Sequence, residues 1–457
     1  MTTAIVLLIL LLYAAGMFLL SRRAQCHTSS FQDAIAAPRQ TGLLMLMGSA
    51  IGGQIGSGFV VGGAEYGAQF GIAGAWYGIG CGLSYFVTAA LAGFVHRRRL
   101  VSLSDYFAQR YQGRVIRLLY SVTGLFSSIA LLAGQLLAGR SIFLTLGLPS
   151  SVGVILTAVI SLIYANIAGL WGAMAVSSVQ SLIILIGMIS ALFITVLTLG
   201  PETLIACLPV EQFQMFSVGR EFVFSMAGPI ILAGAVSQIS FQNVTSARTV
   251  SEAREGYFFA GLFLIPVALI PPLLGMFGKA LFPGKPAEQA FSALLMNRLP
   301  TVIAAVILAA VICSVISACT NAYIAAATNA IYDIYQGFFC PQADSQLCRR
   351  LMLWGDIVVC IVGILLALEM DDIIQVMSMG YSLVAAGCLA PFMGGILWKR
   401  GSSRGALAAA VVGMSTCLIS SFGLMELPYT SLSCVLLSGL TYVMGSLACP
   451  DQKGKNI

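Results

Sequence analysis

The sequence has very little charge. Of its 457 residues, 9% are Asp, Glu, Lys or Arg, 59% are hydrophobic, and the mean hydropathy is +0.95. A soluble domain carries about a quarter charged residues, so this chain has too little polar surface to cover a globule in water. The composition therefore excludes a soluble protein and predicts a polytopic membrane protein in a lipid bilayer.

Several kinds of functional group are also scarce. The chain has two histidines, His27 and His96, which excludes a His-rich metal site. It has no nucleotide-binding P-loop, so it does not encode ATP-driven transport. No cluster of His, Asp or Cys lies at one predicted membrane depth, so we do not expect an enzyme. The net charge of +6 comes from short loops between apolar segments, so nucleic acid is not an expected partner, and no obligate protein partner is evident.

Long apolar stretches are abundant. Counting stretches of about 17 or more mainly apolar residues predicts an all-α protein with thirteen membrane spans. The predicted spans are 3–21, 42–70, 71–97, 115–144, 150–168, 173–199, 221–243, 256–279, 301–330, 351–369, 373–398, 403–423 and 429–448. If the N-terminus lies outside, 18 of the 23 Lys and Arg residues fall in the inner loops and C-terminal tail. This asymmetry predicts a multi-pass plasma-membrane protein, in a bacterial inner membrane, with its N-terminus outside and C-terminus cytoplasmic.

Two predicted spans contain helix-weakening residues at mid-depth. The second span carries GGQIGSG, residues 52–58, and the seventh carries MAGPIILAGA, residues 226–235. Glycine weakens a helix and proline removes an amide donor. Irregular backbone at this depth is tolerated where it lines a cavity or is buried in protein. Its carbonyl oxygens suit a dehydrated cation, and the ends of the half-helices offer dipoles to a substrate.

The spacing of the two interrupted spans favours transport. They lie five spans apart and enter the membrane from opposite sides, as expected for two five-helix repeats of inverted topology. The alternative is close helix packing, because small residues four apart also bring helices together. The chain is accordingly divided into an N-terminal extra helix and loop (1–41), two repeats (42–199 and 200–398), and C-terminal extra helices with a tail (399–457).

The span 301–330 carries polar residues at helical spacing. Ser314, Ser317, Asn321 and Thr328 lie on one face, with Thr320 beside them. Hydroxyl oxygens there could complete a cation shell begun by carbonyls of the first interrupted span. The alternative is that each hydroxyl bonds to a carbonyl of its own helix.

Five blocks of sequence, in order along nearly the whole chain, resemble the sodium:solute symporter family, which includes the proline, pantothenate, sialic acid and sugar symporters. The blocks are GGQIGSGFVVGGAEYGAQFGIAGAW (52–76), SLSDYFAQRY (102–111), TSARTVSEAREG (245–256), SACTNAYIAAATNAIYDIY (317–335) and LAPFMGGILWKRGSSRGALAAAVVG (389–413). The resemblance implies a leucine-transporter-like 5+5 inverted repeat with about thirteen transmembrane helices. It further implies that substrate and Na⁺ bind at mid-membrane between the broken helices.

The resemblance also implies a set of sodium ligands. By position these are backbone oxygens of Gly52 and Ile55, together with Ser314, Ser317 and Ala318. The family usually has a second hydroxyl where this chain has Ala318, and Ser314 or water could replace it. Some members bind a second Na⁺ through an aspartate three residues before a glutamine. Here Ser177 precedes Gln180, so we expect one Na⁺, transported rather than tightly held.

The candidate substrate contacts are polar side chains at or near the two interruptions. They are Gln54, Ser57, Gln69, Ser237, Gln238 and Gln375. Glu65, about 15 Å of helix beyond Ile55, is either an outer-gate residue or solvated. Arg140 is expected to snorkel outward, and Asp371 and Asp372 are expected to be solvated caps.

A cavity with few fixed charges suits a small zwitterion or carboxylate. The sequence thus predicts secondary active, Na⁺-coupled symport of an amino acid or organic acid into the cell by alternating access. Two alternatives remain: a proton-coupled or uncoupled transporter of the same fold, and a solute-binding membrane sensor.

Overall fold

We analysed a computed structural model of the chain. It describes residues 30–37, 39–421 and 423–451, together with residues 8–19 except 10, 14 and 17. The described residues are overwhelmingly helical, and one isolated parallel bridge pairs Thr41 with Ala247.

The helices are numbered in chain order. Those before residue 200 are α1 (Phe31–Ile35), α2 (Leu43–Gln54), α3 (Gly63–Phe70), α4 (Ala75–Arg98), α5 (Leu103–Tyr111), α6 (Arg114–Thr145) and α7 (Ser150–Leu199). The later helices are α8 (Glu202–Cys207), α9 (Arg220–Ala233), α10 (Gln238–Ser246), α11 (Val250–Val267), α12 (Ile270–Leu281), α13 (Ala287–Arg298), α14 (Thr301–Ala327), α15 (Ser345–Glu369), α16 (Ile373–Val384), α17 (Ala390–Leu397), α18 (Ser403–Ser421) and α19 (Thr430–Ala448). Three further segments are π-helices, which are wound more widely than an α-helix. They are Ser57–Gly62, Thr328–Phe339 and Ala385–Leu389.

The helices are long and apolar enough to form a membrane bundle. Among the described residues, nine helical stretches meet this condition, or ten if the bent pair α9 and α10 counts as one span. Two of the nine, Ser57–Arg98 and Ser150–Leu199, contain 42 and 50 residues, whereas about 20 residues cross the hydrocarbon core. Gly169, with φ of 58°, interrupts α7 between the predicted spans 150–168 and 173–199. The count of thirteen stays a prediction, and the first predicted span, 3–21, lies partly outside the described residues.

Burial differs sharply between helices. In the span that contains α14, 83% of the most apolar stretch is buried, compared with 28% for α7. Small residues such as Ala309, Ala310 and Ser314 are fully buried on α14, which lets neighbouring helices approach closely. Leu182, on α7, has an exposed side chain, as expected for a surface that faces lipid. The centre of the bundle is therefore α14, packed against α6 and α7.

Charged side chains connect the helices at the end of the bundle where α4 ends and α15 begins. We call this the basic end, because it carries Arg97, Arg98, Arg99, Arg349 and Arg350.

One cluster at the basic end joins α5, α6 and the segment that follows α14. The guanidinium of Arg117 lies 3.0 Å from carboxylate oxygens of both Asp105 and Asp333. Ser102 Oγ also donates to Asp333, at 2.8 Å. Burial raises the pKa of Asp105, and Arg117 opposes that rise. These contacts join the three segments at the basic end of the bundle.

Candidate ion and substrate site

The first predicted interruption is a complete break in the helix. α2 ends at Gln54, and Gly56 has φ of −122° and ψ of −124° before the chain rewinds. The amide of Gly56 donates to the carbonyl of Gln54 at 2.7 Å, and the amide of Ser57 donates to Gln135 Oε1 at 3.3 Å. A continuous helix would direct these amides to the carbonyls of Gly52 and Gly53. Both carbonyls therefore lose their helical donors, as the glycine pattern predicted.

The second interruption begins at the C-terminal end of the predicted stretch. The sequence places it within residues 226–235, but α9 continues through Pro229 to Ala233. The chain then bends by 42° between α9 and α10. Proline removes one amide donor while its fixed φ remains helical, so Pro229 by itself does not end α9. At Gly234 an added Cβ would lie 2.5 Å from the carbonyl oxygen of Ser84, so a glycine is needed there for close packing.

One helix holds both interruptions in place. On α4, the hydroxyl of Tyr85 donates to the carbonyl of Ala50 in α2. One turn further, Thr88 Oγ1 donates to the carbonyl of Gly234 at 2.7 Å. The first bond is to the C-terminal half of α2 and the second is to the residue that follows α9, so adjacent turns of α4 bind the two broken helices.

The structure brings the five predicted sodium ligands to one place, where α2, α7 and α14 meet. Ser314 Oγ donates to the carbonyl of Ile55. Gly52 lies so close to α7 that an added Cβ would be 2.2 Å from the carbonyl oxygen of Ser177. Ala318 faces the break, because a Cβ added to Gly56 would lie 3.4 Å from Ala318 Cβ. The ligand role of these residues stays a prediction.

Ser177 is a member of this group that the sequence reasoning did not place there. It stands where the family resemblance places an aspartate in some members. In the structure its hydroxyl lies 2.7 Å from the hydroxyl of Ser317, and both side chains are buried. The sequence did contain a sign of this role. Ser177 is a polar residue at the position of an ion ligand in some family members, and a hydroxyl oxygen can also bind a hard cation.

Some predicted substrate contacts also lie at the breaks. The side chain of Gln54 lies beside the hydroxyls of Tyr85 and Tyr381. Ser57 is buried, and its hydroxyl donates to the sulfur of Met377 at 3.3 Å. Ser237 caps α10 by accepting from the amide of Ser240 at 3.3 Å.

A small cavity of about 20 Å³ lies beside the second break. Its lining includes Tyr381, Ser127, Ser128, Ser237 and Gln238. A site needs roughly 10–15 Å³ to hold one water molecule. The cavity therefore has room for a water molecule but not for an organic solute, so the structure is closed around this point.

Gln238 has a structural contact that was not expected. Its Oε1 accepts from the amide of Leu103 at 2.9 Å, and its Nε2 donates to the carbonyl of Val101 at 3.4 Å. The side chain thus ties the second break to the start of α5, while it also lines the small cavity.

Two predicted contacts are not brought to the breaks. Gln69 lies near the end of α3, where its Nε2 donates to Glu65 Oε1 at 3.3 Å. Gln375 is exposed in the first turn of α16, and Met377, two residues on, is the residue of that turn that reaches Ser57. The amide of Gln375 predicts a substrate contact, but the period of α16 directs that amide away from the break.

Gln135, Met377 and Tyr381 reach the breaks but were missed. Gln135 could have been identified from the sequence, because an amide side chain in the middle of an apolar span indicates a polar interior. Met377 and Tyr381 could not have been identified in this way, since methionine and tyrosine are ordinary constituents of a packed core.

Two charged residues near the opposite end of the bundle are more buried than a solvated or snorkelling side chain would be. Glu65 is only 7% exposed and is therefore not a solvated residue. Arg140, expected to snorkel, is 8% exposed, and its Nη1 lies 3.2 Å from Asp371 Oδ1. Its Nη2 lies 3.6 Å from Glu288 Oε2. Asp371 itself is exposed, as predicted.

The chain was compared with known proteins. Residues 35–413 match the model of the sodium:solute symporter family. The sodium/proline symporter of Salmonella typhimurium is 25% identical over 452 residues, which cover 91% of this chain and 88% of that protein. The sodium/glucose cotransporter of Vibrio parahaemolyticus is 21% identical, with 70% and 67% covered.

A solved structure has the same fold. It is the substrate-bound outward-open state of a Na⁺-coupled sialic acid symporter, with a TM-score of 0.79 and 14% identity. The match covers 98% of this chain and 99% of that one. This likeness confirms the predicted all-α, leucine-transporter-like fold.

Proposed function

Since this chain belongs to the sodium:solute symporter family and couples the movement of a solute to Na⁺, we propose that the transported ion binds where α2, α7 and α14 meet. The proposed ligands are the carbonyl oxygens of Gly52 and Ile55 and the hydroxyls of Ser314 and Ser317. The observation that carries the proposal is that these groups meet at the first break, where the Gly52 carbonyl has lost its helical donor. Hard oxygen ligands of this kind suit an alkali cation.

Ser177 completes this set of ligands. Ala318 leaves the position of a second hydroxyl empty, while the Ser177 hydroxyl lies within 2.7 Å of Ser317. An ion between these oxygens would replace the hydrogen bond that now joins the two serines. We therefore assign the missing hydroxyl to α7 rather than to α14.

The proposed solute is a small amino acid or organic acid. The side chains that meet at the breaks, Gln54, Ser57, Gln135, Tyr381 and Ser237, carry no formal charge. The amides in the first turn of α10 lie beside them, and the N-terminus of a helix favours a carboxylate. Two of the similar proteins are named for proline and for sialic acid, both of which contain a carboxyl group.

The proposed mechanism is alternating access between two repeats, residues 42–199 and 200–398. Na⁺ and solute enter from the end opposite the basic end and leave after the Arg117 cluster separates. With the N-terminus outside, in a plasma membrane such as a bacterial inner membrane, inward movement of one charge gains about 2.3 kcal/mol per 100 mV. The proposed stoichiometry is one Na⁺ per solute.

The test is Na⁺-dependent thermal stability of the purified, full-length protein. A ligand present at about 100 times its dissociation constant stabilises the folded state by about 2.7 kcal/mol. We expect NaCl to raise the melting temperature above that in equimolar KCl, and Ser317→Ala to abolish most of the rise.

The matched control is Thr320→Ala, one turn along α14, because Thr320 Oγ1 bonds to the carbonyl of Ile316 in its own helix. It should retain the Na⁺ effect. An equal Na⁺ effect in wild type and Ser317→Ala would refute the proposed ion site.

A further inference from the structure

A second polar cavity lies at the end of the bundle opposite the basic end. Its volume is about 460 Å³, and its charged lining consists of Glu65, Arg140, Glu288 and Asp371. We call it the carboxylate cavity. Asp371 lies exposed at its mouth, whereas Glu65 and Arg140 are buried at its inner side. The cavity is thus open to the aqueous phase and reaches into the bundle.

Glu65 is incompletely satisfied in this cavity. One oxygen, Oε1, accepts from Gln69 Nε2 at 3.3 Å. The other, Oε2, is buried and has no hydrogen-bond partner among the described residues. A buried carboxylate oxygen without a partner is unfavourable, so Glu65, which lines the cavity, contains an unused acceptor.

Arg140 does not neutralise Glu65. Its two terminal nitrogens are directed to Asp371 and Glu288, at 3.2 and 3.6 Å. The lining therefore has three carboxyl groups for one guanidinium, and Arg140 is already shared by two of them. Asp372, just beyond, accepts from the hydroxyl of Tyr66 at 2.7 Å and adds to the negative potential. Clefts with one sign of charge concentrate counter-ions.

The ligand that this arrangement favours is monovalent. Among the described residues, no three acidic, His or Cys side chains converge closely enough to hold a metal ion by themselves. A divalent cation therefore lacks its usual set of carboxylates. A single charge beside Glu65, completed by the Gln69 amide oxygen and water, matches the one carboxylate of the lining that forms no salt bridge with Arg140.

We propose that the carboxylate cavity binds a small monovalent cation at Glu65, either Na⁺ or the ammonium group of an organic amine. The site is separate from the ion site at the first break, because Glu65 lies ten residues, or about 15 Å of helix, beyond Ile55. It goes beyond the proposed function, since capture of a cation here does not depend on which solute is carried.

The test measures binding of ²²Na⁺ to the purified, full-length protein by scintillation proximity. All variants are made in a Ser317→Ala background, so that the proposed ion site at the break contributes little. We expect residual, low-affinity Na⁺ binding in this background and at least a tenfold weakening in Glu65→Gln, about 1.4 kcal/mol. Unlabelled methylammonium is the competitor that distinguishes the two cations. Displacement at concentrations similar to those of NaCl would assign the site to ammonium groups, and weaker displacement to Na⁺.

The matched control is Glu221→Gln. Glu221 is an exposed carboxylate at the same end of the bundle, but it lines a different cavity, beside Glu426. It should leave Na⁺ binding unchanged. Glu65→Asp, which keeps the charge on a shorter side chain, should retain weakened Na⁺ binding. This variant keeps the proposal testable if Glu65→Gln does not fold.

Equal Na⁺ binding by the parent, Glu65→Gln and Glu65→Asp would overturn the proposal. This result is distinct from failure of the ion site at the break. In that case wild type and Ser317→Ala would bind Na⁺ equally, while Glu65→Gln would still weaken binding.

Discussion

The first broken helix, formed by α2 and α3, differs from the second, formed by α9 and α10, although both lie against α4. In the first, Gly56 leaves helical geometry altogether and the Gly52 and Gly53 carbonyls lose their amide donors. The second bends by 42°, and its new helix begins with a capped turn of amides. The first break therefore presents acceptors, which suit a cation, whereas the second presents donors, which suit an anionic group.

The residues at each break explain the difference. Four glycines within residues 52–58 let the chain leave the helix and approach α7 and α4 closely. In the second, Pro229 lies inside a continuous helix, and the bend follows at Gly234, five residues later. A glycine cluster that faces hydroxyl groups is thus better evidence of an ion site than a proline at mid-depth.

The largest effect is expected from Gly52→Ala, which places a methyl group at the first break. Its Cβ would lie 2.2 Å from the Ser177 carbonyl oxygen, in backbone that cannot move aside easily. We expect Na⁺-dependent stabilisation to disappear and the free energy of unfolding to fall by about 1–3 kcal/mol.

Thermal melts with and without NaCl measure both effects of Gly52→Ala. Gly53→Ala is the control on the next residue, because its Cβ would lie 3.7 Å from Asn321 Nδ2, an ordinary contact. Equal behaviour of the two variants would show that close contact with α7 does not matter.

A smaller effect is expected from Ser314→Ala, which removes one oxygen from the first break and leaves the backbone intact. The hydroxyl now donates to the Ile55 carbonyl. We expect the Na⁺ concentration at half-maximal stabilisation to rise about tenfold, or about 1.4 kcal/mol. A Na⁺ titration of the melting temperature measures the shift. An unchanged midpoint would remove Ser314 from the ion site, and the Thr320→Ala variant should show no such shift.

The smallest effect is expected from Pro229→Ala, in the second broken helix. Because α9 continues through this position, alanine should restore an amide without moving the bend. We expect the Na⁺ midpoint to change by less than about twofold, or about 0.4 kcal/mol.

Gly234→Ala is the contrasting variant for Pro229→Ala. Its Cβ would lie 2.5 Å from the Ser84 carbonyl oxygen, so this variant should lose stability. If Pro229→Ala had the larger effect in the same melts, the bend would depend on the proline after all.

Much of the fold could be predicted from the sequence because apolar length and glycine clustering act locally. The break at Ile55 and Gly56, and the meeting of α2 with the hydroxyls of α14, followed from such patterns and from the family resemblance. The contact between Ser177 and Ser317 could not, because it depends on how α7 packs against α14 across 140 residues of sequence.

The charged residues were the hardest to place. Helix length correctly put Glu65 and Arg140 towards one end, but periodicity does not indicate that α13 brings Glu288 to meet them. Periodicity also did not distinguish Met377 from Gln375, which are two residues apart on α16. Met377 reaches the first break, whereas Gln375 is exposed. A side chain's surroundings are set by neighbours that are distant in sequence, and one sequence does not record those neighbours.

The deep burial of α14 has a consequence for biosynthesis. Its span is among the most apolar of the described residues, with a mean hydropathy of 2.8, so it can enter the bilayer alone before α15 is synthesised. Lipid that first surrounds it must later be exchanged for protein. A charge introduced into α14 would therefore hinder two successive events, insertion of the nascent helix and assembly of the bundle around it.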